Sequence, residues 1–575
     1  MKWNLGPVKV LVFVALLATL IPAIFTIKEA GRWDAFQGVL PKGTADSLYY
    51  YARVHEVIDG HPLVGNPYVY EYRDTLAPAF FLPDVLSSIP MLVGVPFNIA
   101  VMVNVFIWSF VFLILAFTLF RLLELPKGYA LIWSALLYIS AYSFMLRPVG
   151  MQISYPVFLA FLIVLLRFLH EPFNRRRVVW LTLVSALTFY IYTYLSYIVI
   201  LAFFFVLLGF LFTRRFKELR ALINTGAFIA ILLIPFGIFT LMQMKSAYYL
   251  ETFNRIGLVF THIPSIEAFF YGRWVVIGML LVWLVPIKQK IFWLSTGASL
   301  LVGLFLNVIT GVELTLAVHI GRFVLLWMVV FFGVSVYEWY LARTSRESRS
   351  KHVLYIITAT LLVVLAVGVV RNTSRRLGFF EFKGHPGYSF IDTQSYAKPL
   401  KWFEENVEGQ SVIWANDSIA QHIPIMTRHY PLFSGGAGLH SISTAEVEDR
   451  YLLSRSLYNL TIEDLKREFG IYAGAGPSKE QPRIQNQRAW LCEKTRRFIG
   501  SDECPAETDS ITLRGEEYFT EMSDRFKEIK QDRNPLLEKF HVEYIIIDQV
   551  NDKAHYITWE KALYDDGRFV IFKVD

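Results

Sequence analysis

Charge is scarce in this chain. Of its 575 residues 18% are Asp, Glu, Lys or Arg and 55% are hydrophobic, whereas about a quarter of an ordinary soluble domain is charged. With a mean hydropathy of +0.43, this excludes a soluble globular protein and makes the bilayer the main solvent. Cysteine is scarcer still. Cys492 and Cys504 are the whole complement, which leaves room for one disulfide and no more. There is no Gly-rich phosphate loop and no soluble nucleotide domain, so a cytosolic nucleotide donor has no obvious seat. No short-period repeat and no low-complexity tract occur, which excludes a solenoid and a disordered tail. The net charge of +7 reads as membrane topology and not as nucleic-acid binding, because Lys and Arg placement sets orientation in the bilayer.

What the chain has instead is long apolar runs. A helix crosses the hydrocarbon core with about 20 predominantly apolar residues, and such runs fall at 8–27, 97–120, 129–146, 152–170, 178–194, 196–213, 221–241, 273–287, 291–310, 321–341 and 353–371. The sequence thus predicts a polytopic α-helical membrane protein with about eleven transmembrane helices. Residues 178–213 form one apolar block, divided at the turn containing Tyr190, Tyr192, Tyr194 and Ser196. The first run is a retained helix and not a signal peptide: it is too long, and no small-residue cleavage site follows before Trp33 and Asp34.

Basic residues then alternate between loops as the count demands. Lys2 and Lys9, Arg121 and Lys127, Arg175 to Arg177, Arg214 to Arg220, Lys288 and Lys290, and Arg343 to Lys351 mark every second loop. This places the N-terminus in the cytoplasm and an odd number of helices later puts residues 372–575 outside. Residues 1–371 are then the transmembrane domain. The remainder reads as an extracytoplasmic α/β domain, with an amphipathic helix at Ala397–Val407 and strands at Ser411–Trp414, His541–Ile547 and Phe569–Val574. In that compartment Cys492 and Cys504 are expected to pair; two unpaired thiols are the alternative.

The first outer loop, 28–96, is far longer than connections in a compact bundle normally are. Within it ADSLYYYARVHEVIDG reads as a helix, so Asp46, Tyr49, Tyr50 and Arg53, at i, i+3, i+4 and i+7, share a face. Asp46 either caps this helix, with the tyrosines in an interfacial belt, or serves as a general base or metal ligand at the membrane surface.

A first helix, a long outer loop with an Asp before an aromatic, Arg-containing helix, many further spans and an outer α/β domain together resemble the GT-C superfamily of membrane glycosyltransferases. These take sugars from polyprenyl-phosphate carriers. The pattern Asp46, Tyr51, Arg53, Asp59-Gly60 is similar to the first acidic motif of oligosaccharyltransferase catalytic subunits, and the chain distantly resembles both these and protein O-mannosyltransferases. The resemblance implies that Asp46 is catalytic and allows a divalent cofactor, Mg2+ or Mn2+. Two departures follow. The next outer loop, RPVGMQISY from Arg147 to Tyr155, contains no carboxylate, which speaks against metal-dependent chemistry. SVIWANDSIAQHIP keeps Trp414 and Asp417 but not the WWDYG motif, so transfer to an Asn sequon is unsupported.

Other ionisable residues complete the set. Glu71 and Asp74 in YEYRDT are read as supporting acids or as a solvated loop. Lys245, Arg255, His319 and Arg322 are read with Tyr49, Tyr50 and Arg53 as substrate or lipid-phosphate binding, since cations near spans face a cavity or a partner; snorkelling of Arg322 to headgroups is the alternative. The functional expectation is transfer of a sugar from a polyprenyl-phosphate carrier to a glycan, lipid or protein acceptor on the outer face of the cytoplasmic membrane. A glycolipid transporter or flippase, and a non-catalytic membrane protein whose outer domain binds cell-envelope glycans, are the rivals.

Overall fold

The computed structural model describes residues 5–29, 36–40, 46–284, 287–343, 390–499, 503–552 and 561–574. Helices begin where the chain supplies a start signal. Pro96 precedes Phe97–Leu122, Pro126 precedes Lys127–Met145, and the Asn174 side chain accepts from Arg176 N at the start of Arg175–Ile191; proline's fixed φ and asparagine's carbonyl both suit that position.

Seven helices are long and apolar enough to cross a bilayer: Gly6–Ala23, Phe97–Leu122, Lys127–Met145, Gly150–His170, Thr193–Phe212, Ile266–Leu284 and Leu316–Tyr340. Phe216–Leu232 and Ile234–Met244 make an eighth if taken as one span bent by 51°. The protein is therefore a polytopic α-helical membrane protein, but with seven or eight such helices among the described residues and not eleven. Three runs account for the difference. Arg175–Ile191 opens on three arginines and is left with 17 residues. The run 291–310 breaks at Phe305 into Lys290–Leu304 and Leu306–Thr310. The run 353–371 lies outside the described residues.

Within the bundle, helices touch where side chains are small, as lipid-embedded packing requires. A Cβ at Gly278 would lie 2.8 Å from the Trp327 ring and one at Gly297 would lie 2.9 Å from Met279. Trp327 is fully buried there, and its indole N–H donates to Thr296 Oγ1 at 2.8 Å, so no polar atom of that ring is left without a partner in an apolar setting.

Two short strands, β1 (Val259–Phe260) and β2 (Val312–Glu313), clip two inter-helix loops together. The C-terminal part holds a five-stranded mixed sheet of β3 (Val412–Trp414), β4 (Tyr430–Pro431), β5 (Val542–Asp548), β6 (Ala562–Asp565) and β7 (Phe569–Lys573), in the order β4-β3-β5-β7-β6. β3 runs parallel to β4 and β5, whereas β7 is antiparallel to β5 and β6. Because strand side chains alternate, Ile413, Ile546 and Ile571 pack on Leu400 and Phe403 of the helix Ala397–Asn406, while Trp414 and Ile545 face the other way.

That second face carries the organising feature of the molecule. Trp414, Tyr430, Tyr451 and Ile545 share one buried cluster with Leu48, Tyr51, Ala52, Tyr68 and Val69 of the long first loop. The loop and the C-terminal sheet are thus one core. The contact is close: a Cβ at Gly436 would meet the Tyr68 ring at 2.5 Å.

Cys492, on the helix Gln481–Ile499, is disulfide-bonded to Cys504 across a separation of 12 residues. Closing a loop of that size contributes about 3 kcal/mol in the chain-entropy treatment. Reduction, or Cys492→Ser, should therefore loosen this segment without unfolding the bundle. Limited proteolysis is the check: cutting confined to the region around residues 499–510 is expected, and an unchanged digestion pattern would contradict it.

Candidate active site

The helix Ser47–Ile58 carries the sequence-predicted face. Asp46 occupies its N-cap position, yet makes no side-chain capping hydrogen bond. The carboxylate is ion-paired instead with the Nη2 of Arg147, from the turn between Lys127–Met145 and Gly150–His170. The same Nη2 donates to Tyr50 Oη at 2.8 Å, and the guanidinium lies 5.0 Å from the Tyr50 ring centre. Capping is therefore not what Asp46 does here.

The other half of the face turns elsewhere. Arg53 grips Asp84 with two parallel bonds, Nε to Oδ1 at 2.9 Å and Nη2 to Oδ2 at 2.6 Å, and its Nη1 donates to Tyr49 Oη at 3.0 Å. Asp84 is fully buried and Arg53 nearly so. Burial alone would lower the guanidinium's proton affinity; the facing carboxylate of Asp84 reverses this and raises it. Tyr49 and Arg53 are thus the frame on which Asp46 and Tyr50 are presented.

Arg147 is held by an unusual turn. Val149 sits at φ +62°, ψ −64°, and Gly150 N–H donates to Pro148 O at 2.7 Å, a γ-turn of the rare, strained kind. A β-branched residue in that region is disfavoured by about 1–3 kcal/mol and persists when its surroundings over-determine it. They do so here: Val149 is buried against Val54, Met91 and Ala100, and Gln152 Nε2 donates to Met145 O at 3.1 Å across the turn. The Nε of Arg147 is buried and has no hydrogen-bond partner among the described residues.

Below this lies a second cation. Arg322 and His319 share a face of Leu316–Arg343, with Arg322 Nη1 at 3.5 Å from His319 Nδ1. His319 Nδ1 also bonds Tyr192 Oη, and its ring stacks on Tyr194 at 4.1 Å. Tyr192 is the extended residue that separates Arg175–Ile191 from Thr193–Phe212, so the expected break in the apolar block exists and supplies a site residue. Arg147 and Arg322 both lie within electrostatic reach of Tyr192 and of Tyr155, whose buried hydroxyl has no hydrogen-bond partner. Among the described residues no carboxylate pairs with Arg322.

Several residues expected at the site are placed elsewhere. Arg255 is buried, and it spends its donors on Gly438 O at 2.9 Å, Ile442 O at 2.5 Å and Thr444 Oγ1 at 2.7 Å. It staples the segment 438–444 and is not available to a lipid phosphate. Glu71 accepts from the buried Arg450 at 2.7 Å, and Asp74 bonds His61 at 2.8 Å on the exposed surface, so the two do not form an acidic pair beside Asp46. Lys245 is exposed at the end of Ile234–Met244. Trp414 donates to Ser454 O at 3.2 Å and Asp417 binds Arg455, both inside the C-terminal part. The residues that sequence reasoning missed are Arg147, Tyr155, Tyr192 and Asp84. Arg147 did carry a signal, as the one basic residue of a short loop otherwise poor in positive charge.

Glu56, one turn beyond Arg53, is 2% exposed and accepts from Tyr430 Oη at 2.8 Å. Burial pushes its carboxyl up to about 8, against the hydrogen bond from Tyr430. The ordinary value is 4.5, so between these values the folded state holds a proton that the unfolded chain has lost, and stability falls as pH rises through that window. Glu56→Gln should remove the slope. Unfolding midpoints measured for both proteins from pH 5 to 8 should diverge in the variant's favour as pH climbs; parallel curves would refute this.

The divalent cation that the resemblance allows does not fit these residues. Among the described residues Asp46 is paired with a guanidinium, Glu71 and Asp74 are engaged elsewhere, and no three His, Cys, Asp or Glu side chains cluster as metal ligands.

The fold and the cluster together define a polytopic helical membrane protein with a carboxylate–guanidinium site between its first long loop and its helix bundle. No family model and no curated protein matches the sequence. Among solved structures, the apo form of the Archaeoglobus fulgidus oligosaccharyltransferase is similar, at 13% identity over 93% of this chain and 69% of that chain with a TM-score of 0.41. Its complex with Zn and sulfate is similar at 12% identity over 92% and 68%, with a TM-score of 0.38.

Proposed function

We propose that the protein is a GT-C-like glycosyltransferase that moves a sugar from a polyprenyl-phosphate carrier to an acceptor on the outer face of the cytoplasmic membrane. On this reading residues 1–371 are the membrane domain and 372–575 the outer domain, with the N-terminus in the cytoplasm. The observation that carries the proposal is the placement of Asp46 beside Arg147, with Arg322 and His319 at the same end of the bundle. A carboxylate and a phosphate-binding guanidinium are what in-line transfer from a sugar phosphate requires. The acceptor hydroxyl oxygen bonds to the anomeric carbon and its proton passes to Asp46. The bond from the anomeric carbon to the phosphate oxygen breaks, and the electron pair leaves with the polyprenyl phosphate, where Arg322 meets the new charge.

Mass spectrometry of polyprenyl-linked sugars and of envelope glycans, in cells with and without the protein, tests the reading. Loss of the protein should raise one lipid-linked sugar and deplete one glycan. An unchanged profile would overturn it.

A further inference from the structure

We infer that Arg147 takes the place that a divalent cation holds in carboxylate-rich transferase sites, so that a guanidinium aims Asp46 and guanidinium groups meet the departing phosphate. The phosphate half of this rests on the proposed function; the Asp46–Arg147 half stands without it.

A hard cation such as Mg2+ or Mn2+ needs an oxygen-rich shell. The turn that approaches Asp46 offers a guanidinium instead, already bound to the carboxylate and to Tyr50. A guanidinium provides what the metal would otherwise supply, a fixed positive charge beside the carboxylate and a set of directional bonds toward phosphate oxygens. Two observations show that Arg147 is built for such a role and is not an incidental surface partner. Its backbone is set by the strained γ-turn at Val149, which is locked by burial. Its Nε is buried without a hydrogen-bond partner, and a buried donor of that kind needs an explanation. Tyr155 Oη is likewise buried without a hydrogen-bond partner among the described residues, within electrostatic reach of both Arg147 and Arg322.

The arrangement also couples the two halves of the reaction. When the acceptor proton reaches Asp46, the carboxylate becomes neutral and its hold on Arg147 Nη2 weakens. In the same step the phosphate gains the electron pair of the broken bond and therefore the stronger claim on that guanidinium. The proton goes to Asp46, the charge to the polyprenyl phosphate, and no metal ion is needed to balance either.

The experiment uses the full chain, purified and reconstituted. In the first arm Mn2+ alone is titrated in and followed by electron paramagnetic resonance, with wild type and Asp46→Asn expected to leave the same free Mn2+. A stoichiometric Mn2+ bound by wild type and lost in Asp46→Asn overturns the inference. In the second arm, binding of decaprenyl monophosphate in vesicles is measured with chelator and with Mg2+, and the two affinities are expected to agree. Arg147→Lys, which keeps the charge but loses the planar fork, should bind about tenfold more weakly, and Arg147→Ala more weakly again; wild-type affinity in both overturns the inference. The third arm separates the two readings. Sugar transfer that stops with chelator and returns with Mn2+ sinks the inference and keeps the glycosyltransferase. Metal-independent, Arg147-dependent lipid binding with no transfer of any sugar does the reverse.

Discussion

Asp46→Asn should lower sugar transfer by about 10²–10⁴-fold, the usual loss when a positioned general base is removed, while leaving the binding of a polyprenyl phosphate intact. The substitution keeps the shape of the side chain and removes its charge. Arg147 then loses its carboxylate partner but keeps Tyr50, whose hydroxyl accepts from the same Nη2, so the turn at Val149 should hold its conformation. A freed guanidinium attracts phosphate at least as well as a paired one. The expected signature is thus a collapse of turnover with lipid affinity equal to or tighter than wild type, read by transfer assays and vesicle binding on the same preparation. Full transfer activity in this variant would remove Asp46 from the mechanism, and a parallel loss of binding would make it a structural residue.

The second large effect concerns stability. Asp84→Ala leaves the Arg53 guanidinium buried with its two principal bonds gone, and breaking a buried pair from one side costs about 3–5 kcal/mol. The helix Ser47–Ile58 would lose the anchor that fixes its rotation, so Asp46 and Tyr50 would lose their aim as well. The variant should show a lower yield of monodisperse protein and a depressed unfolding midpoint in detergent. Replacing both partners, as in Arg53→Met with Asp84→Leu, should recover most of the stability, because no uncompensated charge remains. If the single variant unfolds like wild type, the pair does not carry the load the geometry gives it.

Much of this architecture could be read from local pattern. The strands at 412–414, 542–548 and 569–573 fall within a residue or two of their hydrophobic signals, and the break at Tyr192 lies where a run of tyrosines interrupts an apolar block. The helical face of Asp46, Tyr49, Tyr50 and Arg53 was equally legible, since it depends on spacing alone. The partners of that face were not. Arg147 is 101 residues from Asp46 and Asp84 is 31 from Arg53, and nothing in the spacing of either sequence segment announces such a meeting. Arg255 shows the opposite failure. A cation near a span reads as a ligand for phosphate, but which donors remain after folding is decided by the carbonyls of residues 438 and 442, which only the tertiary structure brings to it. Two of the apolar runs show the same limit: hydropathy registers 178–194 and 291–310 as full runs, whereas the arginines at the start of Arg175–Ile191 and the break at Phe305 shorten the helices themselves.

The shared core of the first loop and the C-terminal sheet has a consequence for biogenesis. Leu48, Tyr51, Tyr68 and Val69 are translated some 340 to 370 residues before Val412 and Trp414, their packing partners, and at 5–20 residues per second this separates them by roughly 20–70 s of synthesis. During that interval the loop has left the ribosome with its apolar side uncovered. The bonds at Asp46 join residues made early, Arg53 to Asp84 and Asp46 to Arg147, whereas the core on the other face of that helix closes only when the end of the chain arrives.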